Sequence, residues 1–143
     1  MWQPVLAVYL WWDGPREGVT RFGGLLRLFS CEFDPDAEDY AETFQLYPLP
    51  EDLAEPVVEQ WAIWRRGETA FRAGEQTAAM HPALPHERGR YDALGAIIQA
   101  AISAAKLEAP LRVAARLRGD FWRCEGAEAE WVLIPNLAAP GSA

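Results

Sequence analysis

The chain has 143 residues, 50% of them apolar and 24% charged, the size and mixture of one globular domain. Thirteen basic against twenty-one acidic side chains leave a net charge of −8, which excludes a broad basic field for nucleic-acid phosphates or anionic lipid. No apolar run reaches the roughly eighteen residues of a membrane span and no secretory leader is evident, so a soluble, cytoplasmic protein is expected.

Val5 to Trp12, rich in Val, Tyr, Leu and Trp, reads as a buried strand broken by Asp13-Gly14-Pro15. Val19 to Phe22 and Leu25 to Phe33 flank Gly23-Gly24, the signature of a hairpin with a two-residue turn. In the second arm Leu25, Arg27, Phe29, Cys31 and Phe33 share one face, largely apolar and expected to look inward. A polar loop is predicted from Asp34 to Ala41, then a strand over Thr43 to Tyr47 ended by Pro48. From Glu51 the period changes: Leu53, Val57, Trp61 and Trp64 stack on one helical face, with acids near the start and Arg65, Arg66 and Arg72 near the end.

Met80 to Pro85 cannot be helical, because Pro82 and Pro85 hold their predecessors extended. A second helix follows, with the stripe Tyr91, Leu94, Ile97, Ile98, Ala101, Ile102 and Ala105, closed by Ala109-Pro110. Two more strands are predicted over Leu111 to Leu117 and Trp131 to Ile134. With hairpin links and no βαβ alternation, the order implies an α+β fold: an antiparallel sheet of five to six strands with two helices on one face. Residues 1–137 make one domain and residues 138–143 a frayed tail.

The segments Asp13-Gly14-Pro15-Arg16, Glu59-Gln60-Trp61-Ala62-Ile63-Trp64-Arg65-Arg66 and His81-Pro82-Ala83-Leu84-Pro85 resemble a family of small uncharacterised bacterial proteins, over roughly residues 9 to 95. The resemblance implies a stable bacterial domain and carries no activity, cofactor or catalytic residue. In such relatives an aromatic residue is expected where Gly67 stands, which predicts a locally loosened helix here.

Motifs for chemistry are few. His81 and His86 are separated by two prolines and share no helical face, so His81 reads as a loop hydrogen-bonder and no metal is expected. The acidic stretch from Asp34 lacks the glycine and the distal glutamate of a calcium loop. There is no Gly-x-Ser-x-Gly elbow and no phosphate-binding glycine loop, and Cys31 on its strand reads as an inert structural thiol rather than a nucleophile served by His81. Arg112, Arg116 and Arg118 share one strand face and read as solvated surface. No cofactor is implied.

Charge distribution says more. Residues 1–60 carry twelve acids and three arginines, so the negative excess lies in the first segment. Glu32, Asp34, Asp36, Glu38, Asp39 and Glu42 form a run without one base, beside Tyr40. Clustered acids with an embedded aromatic describe a docking surface for a basic protein, and a non-catalytic binding domain of this kind, one that neutralises a basic toxin for example, is the leading expectation. Seven tryptophans supply the alternative, a small-molecule binder or enzyme with a pocket lined by Tyr47, Trp61 and Trp64 and with Arg16 or Glu59 as its polar handle.

Overall fold

The computed structural model describes residues 1–75 and 81–135; the predicted tail at 138–143 and the start of the segment at Met80 lie outside them. The elements are β1 (Trp2–Trp11), β2 (Pro15–Phe22), β3 (Leu25–Asp34), β4 (Asp39–Pro48), α1 (Ala54–Arg72), α2 (Arg88–Ala105), β5 (Leu111–Asp120) and β6 (Glu125–Leu133). Short 3-10 turns at Glu51–Leu53 and Pro85–Glu87 lead into the helices. The α+β class with two helices and six antiparallel strands agrees with the sequence reading. The sheet, however, is closed. Trp2, Gln3 and Pro4 pair with Glu130, Ala129 and Glu128, joining β1 to β6 and completing a barrel, which removes both sheet edges.

β2 begins at Pro15, inside the predicted break, and β5 runs on to Asp120; two further predicted boundaries change for local reasons. The stretch 34–41 is a tight turn between strand ends, because Tyr40 pairs with Phe33 and Asp39 with Asp34. Asp34 Oδ1 accepts the amides of Asp36 (2.9 Å) and Ala37 (3.4 Å) and so closes that turn. At a hairpin tip both faces are wet, so no apolar alternation announces the strands. β6 begins at Glu125 rather than Trp131, since its early inward positions are Ala127 and Ala129, both buried but too small to mark a strand by hydrophobicity.

Inside the barrel Trp131 meets Phe29 and Phe44, each with ring centroids 5.5 Å away, and its indole N–H donates to Thr20 Oγ1 at 3.1 Å. Directly opposed residues of a ladder share a face, so Phe29, Leu46, Cys31 and Phe44 all look inward. The predicted inward face of β3 holds at Phe29 and Cys31 but not at its ends, where Leu25 is 50% and Phe33 56% exposed. Leu26 and Leu28, expected outside, are completely buried together with Ala7 and Val19, in the same packed cluster as Val57, Ile98, Ile102 and Ala105 of the helices. The helix pair thus covers the outer surface of β1 to β3, and burying each leucine contributes about 1.5–3 kcal/mol.

Val57 and Trp61 are buried on α1 as their spacing predicts, and a second stripe of Gln60, Ile63, Gly67 and Ala70 is buried too. Ile63 packs with Leu94 and Ala83 in a small second cluster flanked by Tyr91. Gly67 is not a loosened position: a Cβ there would overlap the Pro82 carbonyl oxygen, so the His-Pro-Ala segment rides directly on the helix. His81 Nδ1 accepts the Ala83 amide at 3.1 Å and Nε2 lies 2.8 Å from Asp92 Oδ1, the loop hydrogen-bonding expected of it. Among the described residues no helix is long and apolar enough to cross a membrane.

Candidate functional site at the turn end of the barrel

Antiparallel order sends the β1–β2, β3–β4 and β5–β6 turns out of the same end of the barrel. Asp13, Glu38 and Cys124 lie one in each of these turns, with left-handed φ of 52°, 52° and 56°. Residues distant in sequence therefore meet. Trp11 is 44%, Trp12 65%, Trp122 41% and Phe33 56% exposed, an unusual share of large apolar surface for one end of a small domain.

Arg16 ties two of the turns together. Its Nε donates to the Trp12 carbonyl at 2.7 Å, one terminal nitrogen donates to the Asp13 carbonyl at 3.1 Å, and its guanidinium lies 4.8 Å from the Tyr40 ring centroid. The other terminal nitrogen lies 3.7 Å from Cys31 Sγ. These donors are committed to the scaffold, so Arg16 is a latch rather than the polar handle of a pocket. Tyr40 in turn meets Phe33 edge-on at 5.3 Å.

The acidic run divides. Asp34, Asp36, Glu38, Asp39 and Glu42 are exposed and, among the described residues, take part in no ion pair. Glu32 is engaged. It accepts from Arg112 Nε at 3.0 Å and from Thr43 Oγ1 at 3.2 Å, and the Arg112 contact holds its carboxyl below the usual carboxylate range. A carboxyl depressed in the folded state stabilises the fold above the unfolded glutamate value of about 4.3 and ceases to do so as pH falls through its folded value. Replacing Glu32 by Gln is accordingly expected to lower the urea midpoint at neutral pH, with the gap to the parent protein narrowing below about pH 4; a gap independent of pH would remove Glu32 from this role. Arg116 and Arg118 likewise pair across the ladder with Glu130 and Glu128, so the three arginines of β5 form no open anion patch.

On the helix side of this end the rings of Trp61 and Trp64 stack at 4.7 Å, Trp64 meets Trp122 at 6.0 Å and 71°, and Trp122 meets Trp11 at 6.0 Å and 88°. They border a cleft of about 180 Å3, completed by Val8, Tyr9 and Phe121. The Trp61 indole N–H donates to the Arg123 carbonyl at 3.0 Å, and that of Trp122 to Glu68 Oε1 at 3.3 Å. Glu68 also pairs with Arg72 and Arg123.

Of the predicted pocket residues, Trp61 and Trp64 line the cleft and the others do not. Tyr47 donates its hydroxyl to Gln45 Oε1 at 2.7 Å on β4, and Glu59 is held by Arg90 at 2.6 and 2.7 Å between the helices. Val8, Tyr9, Trp11, Phe121 and Trp122 are the lining that sequence reasoning missed; the tryptophan excess was a signal for Trp11 and Trp122 alone. Both thiols stay protonated at neutral pH: burial raises Cys31, and pushes Cys124 up to about 12. Cys31 donates to the Ala41 carbonyl at 3.1 Å, while His81 is bound to Asp92, so the two do not form a dyad.

No protein-family model, curated protein or solved structure matches this chain.

Proposed function

We propose that this protein is a non-catalytic binding domain of the cytoplasm that engages a basic protein partner with the turn end of its barrel. One observation carries the reading: Asp34, Asp36, Glu38 and Asp39, in no ion pair among the described residues, share that end with exposed Trp11, Trp12, Phe33 and Trp122. Exposed carboxylates speed encounter with a basic surface, and adjoining aromatic rings supply desolvated anchors once contact is made. The latch of Arg16 on Tyr40 and the Asp34 turn cap hold both sets in place beforehand, which reduces the ordering cost of binding.

The test is capture of partners from native lysate by three proteins: the parent, a variant with Asp34, Asp36 and Asp39 changed to Asn and Glu38 to Gln, and a variant with Asp52, Glu55, Glu75 and Glu108 neutralised instead. Asn keeps the acceptor that caps the turn, so folding is preserved. The parent is expected to retain a basic protein that is released by salt, and the turn-end variant to retain at least about tenfold less. Equal losses in both variants would reduce the effect to net charge, and retention indifferent to salt and to the turn-end changes would refute the reading.

A further inference from the structure

The seam of the barrel is zipped over a short stretch and then parts. β1 and β6 pair through Trp2, Gln3 and Pro4, and their ladder ends at Pro4 and Glu128. Both strands turn irregular there: the register of β1 on β2 slips between Val5 and Ala7, and Gly126 of β6 has a left-handed φ of 64°. A hollow of about 390 Å3 occupies the parting, with Pro4, Val5 and Leu6 on one wall and Gly126, Ala127 and Glu128 on the other. A Cβ built on Gly126 would meet nothing within 4 Å. Val58, Trp61 and Arg65 line the hollow from α1, their spacing placing them on one face of the helix.

Arg65 is the one cation of this lining. It is half-buried and, among the described residues, takes part in no ion pair. Every Asp and Glu of the chain lies within those residues, so no carboxylate side chain answers its charge. Burial raises the Cys124 thiol and the Arg65 charge draws it partly back, so the guanidinium lies toward Cys124, itself part of the lining. The one carboxylate of the hollow, Glu128, is already held by Arg118 at 2.9 Å. Glu75 and Glu125 line the next hollow, which Arg65 shares with Arg66, and Arg66 is held by Glu87. The complement of apolar walls with a single unanswered positive charge is an apolar body with a single negative charge. A doubly charged phosphate would need more than Arg65 supplies and would meet Glu128.

We infer that the open seam binds a small amphipathic monocarboxylate, its hydrocarbon lying against Leu6, Val58 and Trp61 and its carboxylate on the Arg65 guanidinium. The site is independent of the basic-partner reading, since the turn-end acids take no part in it, and its test uses small molecules alone. Octanoate and octanol share a hydrocarbon body and differ in charge. Their affinities are to be measured by heteronuclear NMR for the parent protein, Arg65→Met, Val58→Trp and Arg116→Met. Octanoate is expected to bind the parent, with shifts centred on Val58, Trp61 and Ala127, and to lose about five- to tenfold in Arg65→Met, whereas octanol binds both proteins equally. Val58 is 48% exposed, so a larger ring there fills the hollow without entering the core, and Val58→Trp weakens both ligands. Arg116→Met, which removes a charge from the far side of the seam, changes neither. Arg65→Met without ligand is expected to be at least as stable as the parent, because the charge it removes has no carboxylate partner; this separates lost binding from lost folding. Absence of octanoate binding at millimolar concentration, equal loss of both ligands in Arg65→Met, equal loss of octanoate in Arg116→Met, or unchanged binding in Val58→Trp would each overturn the assignment. So would octylammonium or octyl phosphate binding the parent more tightly than octanoate, a comparison that needs no variant to fold.

Discussion

Replacing Gly67 by Ala is expected to lower the melting temperature by about 10 °C, equivalent to a loss of about 3 kcal/mol. The sign is the reverse of what helix propensity gives, since Ala is favoured over Gly inside a helix by about 1 kcal/mol. Gly67 is buried in α1, however, and a Cβ built on it would overlap the Pro82 carbonyl oxygen and crowd the Ala83 Cα at 3.2 Å. Backbone atoms cannot rotate away as the tip of a long side chain can, so the 81–83 segment must lift from the helix. Lifting it would separate Ala83 from Ile63 and Leu94, opening the second apolar cluster. Gly89 in α2 is the internal control, because a Cβ there meets nothing within 4 Å. Gly89→Ala is expected to leave stability unchanged or raise it by up to about 1 kcal/mol. Thermal unfolding of the two variants decides the matter: similar, small effects would mean that the contact between helix and segment is not tight.

The other large effect is expected at Thr20. Thr20 is fully buried on β2, accepts the Trp131 indole N–H at 3.1 Å and donates to the Pro4 carbonyl at 2.8 Å. Pro4 belongs to the short ladder that closes β1 onto β6, so this hydroxyl ties β6, β2 and β1 together at the barrel seam. Thr20→Val keeps the shape but leaves the buried Trp131 indole donor without a partner and removes the bond to the Pro4 carbonyl, which is expected to cost about 2–4 kcal/mol. Thr20→Ser keeps the hydroxyl and loses one methyl group, about 1 kcal/mol. In the double variant Thr20→Val with Trp131→Phe, the stranded indole donor is gone, and the combined loss should fall short of the sum of the single losses. Urea midpoints of the parent, Thr20→Val, Thr20→Ser, Trp131→Phe and the double variant measure these losses. If Thr20→Val and Thr20→Ser proved equally stable, the hydrogen bonds would contribute little and the seam would be held by apolar packing alone.

The two effects differ in how far they could be anticipated. At Gly67 the sequence shows a glycine within a helical stripe, and local reasoning assigns it looseness. The opposite is true because a proline carbonyl fifteen positions later occupies the space a side chain would need. At Thr20 the alternation of its strand does not distinguish a solvent-facing threonine from a buried one. Its role depends on Trp131, more than a hundred residues away.

The turn end shows the same division. The acid-rich run from Glu32 to Glu42 is plain in the sequence, yet it reads as uniform; the fold takes Glu32 out of it by placing Arg112 of β5 beside that carboxylate. The tryptophan excess is equally plain, and helical spacing singles out Trp61 and Trp64 from it. The partners that turn this pair into a cleft, Trp11 and Trp122, lie in two separate hairpins, where no local period connects them to the helix.

Sequence alone determined the kinds of element, the hairpin at Gly23-Gly24, the apolar stripes of both helices and the location of the negative charge. These follow from backbone hydrogen bonding and side-chain alternation, forces that act within a few residues and so leave a local trace. Tertiary structure alone decided that the sheet closes, that β2 and β3 are buried on both faces, and that acids and indoles from three hairpins share one end of the barrel. Those outcomes depend on which distant surfaces pack together, and apolar attraction, being non-directional, writes no record of its partner into either strand.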